Sequence, residues 1–306
     1  MVGVGVLVGL GVLLFVFASR TSTPPVVNGE GLAAPHALVR PPPPPTYAYR
    51  APPAGERVPF VVRLPLGSGL LFDVRTGAVL WGDQPDRVLP IASLTKMMTA
   101  LVVVARSKPT DQVLITPAAT HFTGSGIGLL PQGKRVPEMA LLYGLLLPSG
   151  NDAAIALAQH VAGTRERFIA LMNQRAHQLG LRCSHFNSVS GIVDENNHSC
   201  ARDLAVLAHT MLRNHLLARI IGTRSAIVPF PILGGKLYLY NNNPLLATGY
   251  PGTDGVKTGY TDAAGQCLVV TVRRGRHWLG LVLLHSADTG PQAENLLGTA
   301  FAKLGT

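Results

Sequence analysis

The hydrophobic pattern divides the chain into three stretches. From Val2 to Ala18 every position is uncharged and apolar or small. A helix of that length spans about 25 Å, a little short of the ~30 Å hydrocarbon core of a bilayer. Residues 1–18 therefore read as a signal peptide or a short membrane anchor. No Lys or Arg precedes the run, and the first, Arg20, follows it. Residues 19–57 lose the pattern. Pro24-Pro25, Pro35, Pro41 to Pro45 and Pro52-Pro53 favour extended polyproline II and cannot build a core, so this is a linker.

From residue 58 to 306 the pattern is that of one folded domain. Leu70 to Val74 and Ala78 to Trp81, joined by Arg75-Thr76-Gly77, predict a β-hairpin. A helix that is apolar almost all round runs from Ser93 to about Arg106. Residues 110–133 are mixed. Their glycines, Gly124, Gly126 and Gly128, follow no strand and open no helix, so they are not a phosphate loop. Glu138 to Leu147 and Asp152 to Val161 predict two helices. The breaker Pro148-Ser149-Gly150-Asn151 separates them, with Asn151 or Asp152 as N-cap. Arg165 to Leu179, ending at Gly180, and Ala201 to Arg213, extended towards Ile221, continue the helical middle. Strand patterns return at Ser225 to Pro229, Lys236 to Tyr240, Gly255 to Tyr260, Cys267 to Val272 and Trp278 to Leu284, before a closing helix from Pro291 to Leu304. Strands bracketing helices predict an α+β fold: an antiparallel sheet from both chain ends with a helical middle packed on it.

Composition adds two constraints. With 47% hydrophobic and 14% charged residues in 306, the chain can bury a substantial core. The net charge of +10, mostly arginine, suits an anionic neighbourhood such as a membrane surface or an acidic cell wall. No basic run is interleaved with aromatics, so nucleic acid is not read as a partner. Of the three cysteines, none forms a C-x-x-C pair. Cys183 and Cys200 flank a polar loop that a disulfide could staple in an oxidising compartment, worth roughly 3 kcal/mol in the chain-entropy model. Cys267 lies in an apolar run and reads as a buried free thiol. The histidines show no H-x-H or H-E-x-x-H spacing, so neither a metal nor another cofactor is expected.

The chemistry concentrates at Ser93. A serine and a lysine three apart share one helix face. A lysine at the tip of an apolar helix is costly unless paired or used. Ser93 is therefore read as a nucleophile and Lys96 as its base. Two further motifs accompany the pair: Ser149-Gly150-Asn151 on the inter-helix turn and Lys257-Thr258-Gly259 on a late strand. Each alone is weak, and Ser149 alone reads better as a capping serine. All three in this order match the S-x-x-K, S-x-N, K-T-G set.

With their flanks (Leu89 to Thr99, Leu146 to Ala154 and Asp254 to Thr261) these motifs closely resemble the low-molecular-mass penicillin-binding proteins that are serine-type D-alanyl-D-alanine carboxypeptidases. The resemblance covers residues 58–306. It implies the penicillin-binding protein and serine β-lactamase-like transpeptidase fold, and an extracytoplasmic enzyme of the cell envelope, membrane-anchored or secreted. Its substrates would be peptidoglycan stem peptides ending in D-Ala-D-Ala, with β-lactams as covalent inhibitors. Ser93 would form the acyl-enzyme with Lys96 as base, and Ser149 would relay a proton to the leaving amine. Asn151 would bind the substrate backbone, and Lys257 and Thr258 its carboxylate. Gly259 would let the substrate strand lie close, and the Tyr260 N–H would complete an oxyanion hole with that of Ser93. Many members carry a second β-domain and an amphipathic C-terminal anchor, neither of which is expected here. Many also carry an arginine near the carboxylate site after the last strand, where this chain reads Ser286-Ala287-Asp288-Thr289-Gly290-Pro291. The same motifs fit a D,D-endopeptidase of cross-links. A serine β-lactamase would need a deacylating glutamate, and Glu166 reads instead as a surface helix carboxylate. A non-catalytic wall-binding module would not need three intact motifs.

Overall fold

The structure is a computed structural model, and it describes residues 65–306 except Leu129 and Leu233. The apolar segment 1–18, the linker 19–57 and the domain start at residue 58 lie outside the described residues. No helix among the described residues is long and apolar enough to cross a membrane.

The elements follow in chain order. Strands β1 (Ser68–Asp73), β2 (Val79–Asp83) and β3 (Leu89–Pro90) lead to a 3-10 turn (Ala92–Thr95) and helix α1 (Lys96–Val104). Then come β4 (Gln112–Leu114), α2 (Pro117–Thr120), β5 (Arg135–Pro137), α3 (Glu138–Leu146), α4 (Asn151–Ala162) and α5 (Arg165–Gln178). Next are β6 (His198–Ser199), α6 (Ala201–Arg213), α7 (His215–Ile221), β7 (Ser225–Pro229), β8 (Lys236–Tyr240) and α8 (Pro244–Thr248). Strands β9 (Thr253–Thr261), β10 (Gly265–Arg274) and β11 (His277–Ser286) and helix α9 (Thr289–Lys303) close the chain.

Five of the strands form one antiparallel sheet in the order β2-β1-β11-β10-β9. Both chain ends contribute, because β1 pairs with β11. The sheet is covered on both faces, which is why its strands read as near-continuous apolar runs. Side chains alternate between the faces. Leu268, Val270 and Val272 of β10 pack towards α9 with Leu297 and Phe301. Cys267 and Val269 join the helical layer on the other face. In that layer α1 is buried from Lys96 to Val103 and packs against α3, α4, α5 and α6. The helix is apolar all round because it has no solvent face.

Several local expectations change. Ser93 lies in a 3-10 turn, not in the α-helix, because Ala92 has φ 47° and the Leu94 N–H donates to the Ile91 carbonyl (3.1 Å). The long helix after Ala201 breaks at Asn214, whose side chain accepts the N–H groups of Leu216 and Leu217 (both 3.1 Å) and caps α7. Neither Asn151 nor Asp152 caps α4. Gly150 holds that position without a side-chain cap, and both side chains are used elsewhere. Helix α8 and the β4–β5 pairing were not anticipated.

Candidate active site

The site is built where α1, the α3–α4 turn and β9 converge. Lys96 is fully buried. Its Nζ lies 2.8 Å from Ser93 Oγ, 2.7 Å from Asn151 Oδ1 and 2.8 Å from the Ser190 carbonyl oxygen. Burial, and then the charge of Lys257, push Lys96 well below the ordinary lysine value, while Asp152 opposes them. As an ammonium, Lys96 donates all three protons to these oxygens. As a neutral amine it keeps two on Asn151 and Ser190, and its lone pair faces the Ser93 hydroxyl. That is the geometry of a base beside its nucleophile.

The α3–α4 turn brings the second motif in. Ser149 has φ 70° and is buried, and its hydroxyl makes no hydrogen bond. It lines the cleft in front of Ser93. Asn151 is oriented by its Nδ2, which donates to the Thr123 carbonyl (2.6 Å), so its Oδ1 points at Lys96. Asp152 fixes the glycine-rich loop instead of capping the helix. Its carboxylate accepts the N–H groups of Ile127 and Gly128 (both 3.0 Å), and the Ser125 carbonyl accepts the Asn151 N–H (2.8 Å).

Strand β9 forms the opposite wall. Lys257 is buried and pushed down to about 7 by burial; its Nζ donates to the Thr258 carbonyl (2.9 Å). Thr258 and Gly259 line the cleft, and Tyr260 is exposed at its rim. Gly259 allows β9 to touch the Ser93 turn: a Cβ there would stand 2.9 Å from the Ile91 carbonyl oxygen and 3.0 Å from the Ser93 nitrogen.

A model of the D-alanyl-D-alanine carboxypeptidase family matches residues 62–288. The chain belongs to this family. It is 32% identical over 248 residues to D-alanyl-D-alanine carboxypeptidase DacF of Bacillus subtilis, covering 78% of this chain and 63% of that protein. It is 35% identical over 242 residues to a D-alanyl-D-alanine endopeptidase of Pseudomonas aeruginosa (78% and 77%). It is 34% identical over 229 residues to D-alanyl-D-alanine carboxypeptidase DacA of Escherichia coli (72% and 56%). The chain thus spans under two thirds of the length of the two named carboxypeptidases. A Streptomyces DD-transpeptidase structure superposes with TM-score 0.74 at 31% identity, covering 80% of this chain and 99% of that one. The penicillin-binding protein fold is therefore the fold of this chain, an α+β arrangement with an antiparallel sheet.

The cleft of this family member holds about 430 Å³. Its far end is lined by Gln266, Asp288, Thr289 and Gly290, and no arginine is among the described lining residues. Gln266 Oε1 accepts from the Thr289 N–H (3.2 Å) and hydroxyl (3.3 Å), which ties β10 to the start of α9. Glu166 is exposed in the first turn of α5 and does not line this cleft. Cys183 and Cys200 are joined in a disulfide with Cα atoms 5.5 Å apart. Cys267 is a free, buried thiol pushed up to about 12 by burial.

Three contributions were missed from the sequence. The Ser190 carbonyl holds Lys96, and a backbone oxygen leaves no mark in a sequence. Gly191 (φ 80°) packs against the Ala92 carbonyl, where a Cβ would collide, so it seats the Ser190 loop on the turn that carries Ser93. The glycine-rich loop was read only as not being a phosphate loop. Its lack of side chains lets Gly124 and Gly126 pack against Asn151 and Asp152.

Proposed function

We propose that this chain is a serine D-alanyl-D-alanine carboxypeptidase that removes the terminal D-alanine of peptidoglycan stem peptides and is acylated by penicillins. The observation that carries the reading is Lys96: fully buried, depressed in pKa, and 2.8 Å from the Ser93 hydroxyl. Ser93 Oγ attacks the penultimate D-alanine carbonyl, and its proton passes to Lys96 Nζ. The oxyanion is held by the N–H groups of Ser93 and Tyr260. The C–N bond breaks as the leaving amine takes a proton by way of the Ser149 hydroxyl. Water then attacks the ester, and Ser93 recovers its proton. Asn151 aligns the substrate backbone, and Lys257 and Thr258 hold its terminal carboxylate. The disulfide, the apolar N-terminal segment and the net charge of +10 support an extracytoplasmic place in the envelope, membrane-anchored or secreted.

The same acyl-enzyme serves cross-link cleavage if the leaving amine belongs to a neighbouring stem. The Pseudomonas relative named as an endopeptidase, matched over 77% of its length, favours carrying this second reading. Digestion of purified muropeptides with product masses tests both. Loss of one terminal D-alanine is expected, whereas split dimers mean endopeptidase. No product together with no penicillin labelling would overturn the reading. Ser93→Ala removes both activities.

A further inference from the structure

A second group of chemically active side chains lies at the other end of the α3–α4 hairpin from Ser149. Asp111 sits just before β4, Glu138 opens α3, and His160 lies in the last turn of α4. One ligand atom of each lies within 4.8 Å of the others. Glu138 has no exposed surface, and neither of its carboxylate oxygens makes a hydrogen bond. The nearby Ser107 hydroxyl is used on the Val103 carbonyl (2.9 Å). A wholly buried carboxylate with no donor is costly unless it takes up a proton or a cation completes it.

His160 alone does not complete it. Its Nε2 stands 3.8 Å from Glu138 Oε2 and 3.6 Å from Asp111 Oδ2. Charge-assisted hydrogen bonds are about 2.7–2.9 Å long. Zinc–ligand bonds of about 2.0–2.2 Å at tetrahedral angles set ligand atoms about 3.3–3.5 Å apart. His160 Nε2 stands within a few tenths of an ångström of that spacing from each carboxylate, and the three ligand atoms lie within 4.8 Å of one another. The backbone is already arranged for it. The Lys108 N–H donates to Asp111 Oδ2 (3.0 Å), leaving Oδ1 uncommitted to that bond, and the Glu138 N–H donates to the Asp111 carbonyl (2.9 Å). Asp111 is about one third exposed, which gives an entry path.

We propose that Asp111, Glu138 and His160 form a divalent-metal site of the zinc class, with water as fourth ligand. One imidazole nitrogen and two carboxylate oxygens suit zinc or cobalt better than magnesium, which prefers all-oxygen octahedral sites. The metal clamps the open end of the hairpin whose closed end carries Ser149 and Asn151. It takes no part in acyl transfer, so it is separate from the proposed peptidase activity.

Isothermal titration of the purified, chelator-treated full chain with zinc chloride tests this. One zinc per chain binds with a Kd of micromolar or tighter. Cobalt in its place gives visible absorption bands of a low-coordinate N/O site. His160→Gln and Asp111→Asn each weaken zinc at least fifty-fold, while penicillin labelling shows that both variants fold. Zinc raises the Tm of the wild type and leaves that of His160→Gln unchanged. No stoichiometric zinc uptake, or equal uptake by both variants, overturns the proposal, as does binding of magnesium in preference to zinc.

Discussion

Gly259 lies against Ser93 at backbone distance: a Cβ on it would stand 3.0 Å from the Ser93 nitrogen. The strand that presents Lys257 and Thr258 is therefore seated on the turn that presents Ser93. Their separation is set by the absence of one methyl group.

Gly259→Ala forces β9 and the Ala92–Thr95 turn apart. Overpacking of this kind costs about 1–3 kcal/mol, and a misplacement approaching 1 Å in an active site costs about 10²-fold in rate. The variant is expected to fold with a slightly lower Tm and to be acylated by a fluorescent penicillin about 10²-fold more slowly. Wild-type acylation would mean that the contact has slack and does not set the site.

Lys96→Arg separates charge from basicity. Arginine keeps a cation near Ser93 but stays protonated at all accessible pH, so it has no lone pair for the Ser93 proton. It also cannot reproduce the three contacts of Nζ with Ser93, Asn151 and Ser190. Stopped-flow acylation is expected to slow by at least about 10³-fold, a loss in the range of general-base removal. A variant within tenfold of wild type would remove Lys96 from the role of base.

The three motifs were legible because each is a contiguous run whose chemistry survives without tertiary context. The sheet was legible because β1, β10 and β11 are buried on both faces and read as apolar runs. What was missed depends on the backbone or on packing. The Ser190 carbonyl has no side-chain signature. The φ of 47° at Ala92 belongs to a turn on which Gly259 and Gly191 pack, and nothing in an alanine announces it. The N-cap assignment at Asn151 failed because tertiary partners outbid the local one: Lys96 and Thr123 take its side chain. Asn214, which caps α7, and Asn243 with Pro244, which open α8, did carry ordinary start signals.

The two buried lysines predict the pH profile. The proposed role of Lys96 as base requires the neutral amine, and its value lies well below the ordinary one, so kcat/KM is expected to rise as pH climbs through it. The proposed role of Lys257 as carboxylate anchor requires the cation, and burial pushes it down to about 7 in the free enzyme, so kcat/KM is expected to fall as pH rises through that value. A bound carboxylate favours the charged form and moves this limb to higher pH in kcat. A bell is expected for a peptide ending in free D-Ala-D-Ala. The same peptide with its carboxylate amidated should lose the alkaline limb. A profile for the free acid that rises steadily to pH 10 would sink the assignment of Lys257 as the charged anchor.

The disulfide is predicted to matter for catalysis as well as stability. Cys183 and Cys200 close the loop that carries Ser190, whose carbonyl holds Lys96 at 2.8 Å. The same loop supplies Asn197, whose Nδ2 donates to Thr95 Oγ1 (2.8 Å), and Val189, whose carbonyl accepts from the Thr99 hydroxyl (2.7 Å). The loop is thus fastened to α1 at two points and to the 3-10 turn before it at a third, and closed at its base by the sulfurs. Opening the base loses roughly 3 kcal/mol in the chain-entropy model and loosens the acceptor that orients the Lys96 amine. Cys183→Ser with Cys200→Ser is therefore expected to lower the Tm by several degrees and to slow penicillin acylation several-fold. Asp203 limits the damage: its carboxylate accepts from the Cys183 N–H (2.7 Å) and the Ser184 hydroxyl (2.9 Å) and holds one end of the loop without the sulfurs. Adding Asp203→Ala to the double serine variant should then cost more than the sum of the two changes made separately, because each restraint covers for the other. Strict additivity of the two Tm losses would show that the sulfurs and Asp203 act on independent parts of the fold.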